Sequence, residues 1–313
     1  MAAGMPFCRE MHDTTERLLR WTEPPHSFWR ARNASECMPA YGITGGQQMS
    51  QNIIEAREVS VTFGAGAHRV EAVKNVSLTL AAGEPLGIVG ESGSGKSTLA
   101  RVLAGLQPPT SGQVFFNGES VYKGSKSYIG EARRQVQMVF QDPYASLNPQ
   151  LTALSAVAEA VRIHNKCAKR EAEVKALELL KRMGITQLDA VKKPRQLSGG
   201  QRQRVSVARA LSANPSVLLA DEPTSAIDQS AQAQLLNLFR GLLHQGLAIV
   251  LVSHDLGVIR YLTHRVYVMK DGVFVESGDT EDIFNNPRQE YTKELLASIP
   301  GQLGSAAREK RLA

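Results

Sequence analysis

Eight consecutive residues, Gly90-Glu91-Ser92-Gly93-Ser94-Gly95-Lys96-Ser97, have the composition and order of a loop that wraps a phosphate. They satisfy G-x-x-x-x-G-K-[ST] in full, follow an apolar stretch at 86–89 and precede a helix-forming run. Glycines let backbone N–H groups turn inward on an anion, and the N-terminus of the following helix adds partial positive charge. In this reading Lys96 reaches the outer phosphates and the Ser97 hydroxyl ligates magnesium. Gly90, Ser92, Gly93, Ser94, Gly95 and Thr98 complete the expected nucleotide contacts. Further on, Val217-Leu218-Leu219-Ala220-Asp221-Glu222 is an apolar strand ending in two carboxylates. Ligands of α/β proteins bind at that edge of a parallel sheet, so Asp221 is expected to hold magnesium and Glu222 to act as general base toward an attacking water. Paired acids at a strand end also suit a helix N-cap; the phosphate loop upstream favours chemistry. Phe63, closing the first predicted strand, is the candidate for stacking an adenine ring, worth about 1–3 kcal/mol. The same residue would equally suit a strand core.

The elements that must position these groups alternate between strand and helix. Runs rich in Val, Ile, Leu and Thr predict strands over 53–63, 70–80 and 85–89, broken by glycines. A helix is expected over 96–106, stopped by Pro108-Pro109, and further strands over 114–116 and 136–140. Between 149 and 213 the apolar spacing of three and four predicts helices over 151–164 and 169–183, with a third beginning near Ser198. The βα alternation then resumes: strand 217–220, helix 229–244, strand 248–252, helix 256–261, and paired strands over 265–270 and 273–277 around Asp271-Gly272. An α/β core interrupted by a helical insert follows.

The 313 residues allow two domains or one large one, at a prior of about 150 residues each. With 36 Lys plus Arg against 30 Asp plus Glu, the net charge is +6 and the pI near 9.3. The basic pairs Arg133-Arg134, Lys192-Lys193 and Lys310-Arg311 are scattered, so nucleic acid is not expected as a partner. Three cysteines without metal-ligand spacing argue against disulfides and structural zinc and fit a reducing compartment. No apolar run approaches the about 18–20 residues that span a bilayer. Residues 1–48 carry both tryptophans and no sustained period, and read as a poorly ordered extension; residues 301–313 read as a flexible tail.

Leu197-Ser198-Gly199-Gly200-Gln201, continued by Arg202-Gln203-Arg204-Val205 and Ala208-Arg209-Ala210-Leu211, resembles the signature of ATP-binding cassette (ABC) ATPases. Ser198 and its glycines would start a helix whose N-terminus receives the γ-phosphate of a nucleotide held by another subunit, because the same chain's phosphate loop serves its own. The resemblance runs from about residue 53 to about 300. It implies a P-loop NTPase core with a RecA-like parallel sheet, an antiparallel β subdomain and a helical insert at about 142–213, within an ATPase domain at 49–300. It also implies that Gln141 senses magnesium and the membrane partner, that Asp228 lies in the loop joining two nucleotide sites, and that His254 contacts the γ-phosphate and positions water. ATP, Mg2+ and a second cassette, identical or related, come with it.

Within the family, the segment from Met138 to Pro149, the sequence around the phosphate loop, Val275-Glu276-Ser277-Gly278 and Tyr291-Thr292-Lys293-Glu294-Leu295-Leu296 resemble the peptide and nickel importer branch. Many members place His-Pro where Gln289-Glu290 stands, and several carry a C-terminal cysteine cluster that is absent here, since no cysteine follows Cys167. The resemblance implies an energy-coupling subunit for uptake of peptides, nickel or a metal chelate. It would sit peripherally on the cytoplasmic face of the inner membrane, with transmembrane permease subunits and, indirectly, a solute-binding protein. A surface beside Tyr144, Ala145 and Leu147 would grip a short helix of the permease. The alternative is a soluble cassette serving a non-transport assembly such as the carbon-phosphorus lyase system.

Overall fold

The computed structural model describes residues 52–64, 66–122, 130–225 and 227–298; the expected extension at 1–48 and tail at 301–313 lie outside them. Two sheets form. The first is antiparallel, in the order β2-β1-β4-β5, from β1 (Asn52–Phe63), β2 (Val70–Ala81), β4 (Ser111–Phe116) and β5 (Glu119–Ser120). The second, in the order β10-β9-β3-β8-β7-β6, comprises β3 (Pro85–Val89), β6 (Val136–Val139), β7 (Val217–Asp221), β8 (Ala248–Ser253), β9 (Arg265–Lys270) and β10 (Val273–Asp279). Strands β9, β3, β8, β7 and β6 run parallel, and β10 turns back antiparallel on β9. That reversal uses Asp271 and Gly272, both at positive φ (47° and 85°), as a two-residue hairpin turn requires.

Strands β3, β7 and β8 are buried along their whole length, which is why they read as unbroken apolar runs. Their side chains alternate between two cores. Leu218, Ala220, Ile249 and Leu251 face one cluster with most of the helices, whereas Val217, Leu219, Val250 and Val252 face the antiparallel sheet and the first helix.

That first helix, α1 (Lys96–Leu103), ends three residues before the expected Leu106, where Gly105 turns to φ 69°. After α2 (Gly130–Gln135) and β6 the chain is helical: α3 (Pro143–Ser146), α4 (Ala153–Asn165), α5 (Lys169–Arg182), α6 (Gln187–Ala190) and α7 (Gly199–Leu211). Thr152 caps α4 by accepting the Ser155 N–H, so the helix opens two residues later than expected. The longest helix, α8 (Gln229–His244), then α9 (Leu256–Leu262), α10 (Thr280–Asn285) and α11 (Glu290–Ala297), complete the described chain. The one- or two-turn helices α2, α3, α6 and α10 have too few residues to show a period. No helix among the described residues is long and apolar enough to cross a membrane.

Candidate functional site

Strand β3 sits between β8 and β9 and delivers Gly90 to the carboxyl edge of the parallel sheet. The loop that follows is wedged against two other strands. A Cβ on Gly90 would fall 2.0 Å from the Met269 carbonyl oxygen, and one on Gly95 would fall 2.2 Å from that of Ala72, with φ at 151° and 105°. Glycine is therefore required by close approach as well as by conformation. Gly95 also precedes α1 without any side-chain cap, leaving the first-turn N–H groups for an anion. Ser92 and Gly93 are exposed at the mouth, Ser94 is buried, and Thr98 is half-buried in the first turn of α1.

Lys96 is only 4% exposed. Its Nζ donates to the carbonyls of Gly90 (2.7 Å) and Glu91 (2.6 Å) and to Ser94 Oγ (3.2 Å). Burial pulls the ammonium below its ordinary range, while the charges of Glu222, Asp221 and Glu91 pull it back. A buried cation ringed by neutral oxygens fits a polyanion. Ser97 Oγ donates to Asp221 Oδ1 at 2.8 Å. Burial raises the Asp221 carboxyl above its usual range, opposed by the Ser97 hydrogen bond and reinforced by Glu222. These hard oxygen donors fit magnesium, and a cation there would relieve the carboxylate's desolvation.

The remaining chemistry comes from the ends of three neighbouring parallel strands. Gln141 follows β6, Glu222 follows β7 and His254 follows β8, and their side chains meet. Gln141 Nε2 donates to Glu222 Oε2 at 3.0 Å, and His254 Nδ1 lies 3.1 Å from the same oxygen. The Glu222 side chain is 13% exposed and His254 59%, so the carboxylate is sheltered and the imidazole faces outward. Glu222 stands at φ 45°, a left-handed conformation costing a non-glycine residue about 1–2 kcal/mol, while its N–H still pairs with the Val252 carbonyl (2.8 Å). This turn sends Asp221 toward Ser97 and Glu222 toward Gln141 and His254. Beyond His254, Asp255 caps α9 by accepting the Gly257 and Val258 N–H groups and donates its own N–H to Ser253 Oγ.

Ser198 opens α7 through a capping box: its Oγ accepts the Gln201 N–H (3.2 Å), and its own N–H donates to Gln201 Oε1 (2.9 Å). Gly199 and Gly200 form the first turn, and a Cβ on Gly200 would meet that of Ala231 at 2.5 Å, so α7 and α8 touch where their starts pass. Asp228 caps α8 by accepting the Ala231 N–H at 2.8 Å. Helix α7 packs on β6, the far edge of the sheet, three strands from β3. At about 4.8 Å per strand the two lie about 14 Å apart. The fold thus brings Gln141, Glu222 and His254 together and Ser97 to Asp221, while Ser198 and Gln201 close their hydrogen bonds on each other at the start of a helix packed on the edge strand β6. Phe63 is 44% exposed, which leaves its ring free for stacking and excludes the core alternative. It pairs with Val70, two residues before the Ala72 that backs Gly95.

One expectation needs correction. Leu147 is 2% exposed and belongs to the helical core, so it cannot line a docking surface. Tyr144 and Ala145 are exposed, and Tyr144 accepts a hydrogen bond from Arg195 (3.0 Å). The groove nearby, of about 430 Å3 between β6 and α4, is lined by Leu106, Arg133, Gln137, Phe140, Ile163 and His164, among others, and not by those three residues. Sequence reasoning also missed Tyr291, whose hydroxyl accepts the Glu91 N–H of the phosphate loop at 3.0 Å. Its sequence signal is the Tyr291 to Leu296 segment that resembles the importer branch, which says nothing about a partner 200 residues away.

Residues 73–225 match the ABC transporter family. The chain is 41% identical over 255 residues to the oligopeptide transport ATP-binding protein OppF of Bacillus subtilis (strain 168), covering 80% of this chain and 84% of that protein. It is 43% identical over 233 residues to the glutathione import ATP-binding protein GsiA of Pectobacterium atrosepticum, covering 74% of this chain and 37% of GsiA. Among solved structures it resembles the dimeric ATP-binding cassette MJ0796 in a post-hydrolysis state bound to ADP and Pi. The TM-score is 0.66 and the identity 35%, over 72% of this chain and 98% of that one. It also resembles cbiO1 from Clostridium perfringens, part of the ABC transporter complex cbiONQ. There the TM-score is 0.67 and the identity 27%, over 84% and 98% of the two chains.

Proposed function

The chain belongs to the ABC transporter family of ATPases, and we propose that within it the protein is the ATP-hydrolysing, energy-coupling subunit of a peptide importer. Residues 49–300 form its ATPase domain, with the helical insert at about 142–213. The observation that carries the reading is the convergence of Gln141 and His254 on one oxygen of Glu222, beside a phosphate loop whose buried lysine donates its hydrogen bonds to neutral oxygens. The importer branch is supported by relatives named for oligopeptide and glutathione uptake.

In this mechanism Lys96 and the uncapped first turn of α1 hold the outer phosphates, and Phe63 stacks on the adenine. Ser97, Asp221 and Gln141 are the residues that would hold magnesium, which neutralises phosphate charge. Glu222 Oε2 accepts the proton of the attacking water, while Gln141 and His254 fix the direction of that oxygen. Removing two long side chains' freedom before reaction is what preorganises the base. Ser198, Gly199, Gly200 and Gln201 are offered to a second cassette's nucleotide, and Asp228 stands between the two sites; the packing of α7 on β6, the edge strand of the sheet, supports that division of labour.

The groove between β6 and α4 is the place for a permease helix, since it begins at Phe140, one residue before Gln141. Nucleotide at Gln141 and a membrane subunit at Phe140 thus share one strand end. A solute-binding protein would deliver peptide to the permease from the other side. The test is reconstitution of the chain with its permease in vesicles. Peptide-dependent stimulation of ATP hydrolysis is expected, and hydrolysis indifferent to permease and peptide would refute the importer reading.

A further inference from the structure

The phosphate loop has a partner outside every nucleotide motif. The Glu91 N–H donates to Tyr291 Oη at 3.0 Å, and the Gly90 carbonyl accepts from Lys96 Nζ at 2.7 Å. These two groups are opposite ends of a single peptide unit, which is planar and turns as one body. Holding its N–H therefore fixes where its oxygen points, and that oxygen is one of three that locate the lysine.

Tyr291 is itself well anchored. It is buried, and together with Leu296 of the same helix it joins the larger hydrophobic core. Lys270 Nζ lies 4.4 Å from its ring centroid. Glu276 of β10 accepts the Arg288 and Gln289 N–H groups (2.8 and 3.1 Å), pinning the chain just before α11. The Gly272 N–H beside Lys270 donates to the Ser94 carbonyl at 3.0 Å, so the same C-terminal hairpin touches the loop at a second point.

We propose that Tyr291 is a positioning residue of the nucleotide site: acting through the Gly90–Glu91 peptide, it holds Lys96 and the phosphate loop in their binding shape, so that the seating of α11 sets the affinity for ATP. This rests on the nucleotide reading above and extends it to a helix that carries no nucleotide motif. The Glu222 cluster lies at the ends of β6, β7 and β8 and shares no hydrogen bond with Tyr291. Loosening the latch should therefore act on ground-state binding, raising KM more than it lowers kcat.

The experiment uses the full chain and Tyr291→Phe, which keeps the ring, its packing and its contact with Lys270 and removes only the acceptor. Titration with a fluorescent ATP analogue in magnesium, well below the melting temperature, is expected to show about a fivefold rise in Kd, the size of one net hydrogen bond. The melting temperature without nucleotide should stay within about 2 °C of wild type. Glu91→Pro removes the donor from the other side of the same bond; it should weaken binding similarly, and the double variant should add little. An unchanged Kd in Tyr291→Phe, a loss confined to kcat, or additive losses in the double variant would overturn the proposal. If wild type itself fails to bind ATP, the nucleotide reading falls; if wild type binds and Tyr291→Phe binds equally well, only the latch falls.

Discussion

Replacing Glu222 with glutamine separates binding from turnover. The amide has the shape of the carboxylate, and its oxygen can still accept from Gln141 Nε2, now 3.0 Å from Glu222 Oε2. The site should keep its geometry and lose only its basicity. A positioned general base contributes about 100- to 10,000-fold to rate. At 1.36 kcal/mol per decade, that places the rise in barrier at about 2.7–5.4 kcal/mol. Lys96, Ser97 and Asp221 are untouched, so nucleotide at 100 times its Kd should still stabilise the fold by about 2.7 kcal/mol. For a unit of this size that is a rise in melting temperature of about 5–11 °C. The assay is phosphate release at saturating ATP and magnesium, run beside a thermal shift on the same sample. The expected result is a wild-type thermal shift with hydrolysis reduced at least 100-fold. Turnover within threefold of wild type would show that the proton goes elsewhere, and the convergence of Gln141 and His254 on Glu222 would need another explanation.

Lys96→Ala should abolish the ATP-induced thermal shift itself, because it removes the buried cation at the centre of the loop. Asp221→Asn should raise the melting temperature of the nucleotide-free protein, since it removes a carboxylate whose burial disfavours its charge, while lowering magnesium-dependent hydrolysis; a lower melting temperature would contradict that electrostatic account. Ser198→Arg should leave ATP binding intact and suppress hydrolysis in a dimer, and unaltered hydrolysis in every assembly would refute the shared site. Leu147→Asp should unfold or strongly destabilise the protein, by more than the about 2–5 kcal/mol of a buried Leu→Ala change, as read by chemical denaturation. Ile163→Glu, on the exposed wall of the groove, should uncouple uptake in vesicles and leave hydrolysis by the isolated chain near wild type.

The phosphate loop, the Asp221-Glu222 pair and the signature at Ser198 were legible because each depends on contiguous residues whose spacing is itself the chemistry: a turn that must be glycine, a strand that must end in acid, a helix that opens on a Ser-Gly-Gly start and is capped by its own Ser198 and Gln201. The buried strands β3, β7 and β8 were legible for a similar reason, since burial on both faces writes an unbroken apolar run. Contacts across the fold leave no such trace. That Gln141 and His254 meet at one oxygen of Glu222 follows from the side-by-side order of β6, β7 and β8, and strand order is set by packing of the whole sheet. That Leu147 is core while Tyr144 is surface depends on how a one-turn helix and the extended residue that follows it meet α7 and its neighbours, and four helical residues are too few to carry a period. Tyr291 is the extreme case: its partner is a backbone N–H, which every residue but proline possesses, so nothing in the side-chain sequence could have pointed to Glu91 until the tertiary fold closed 200 residues of chain between them.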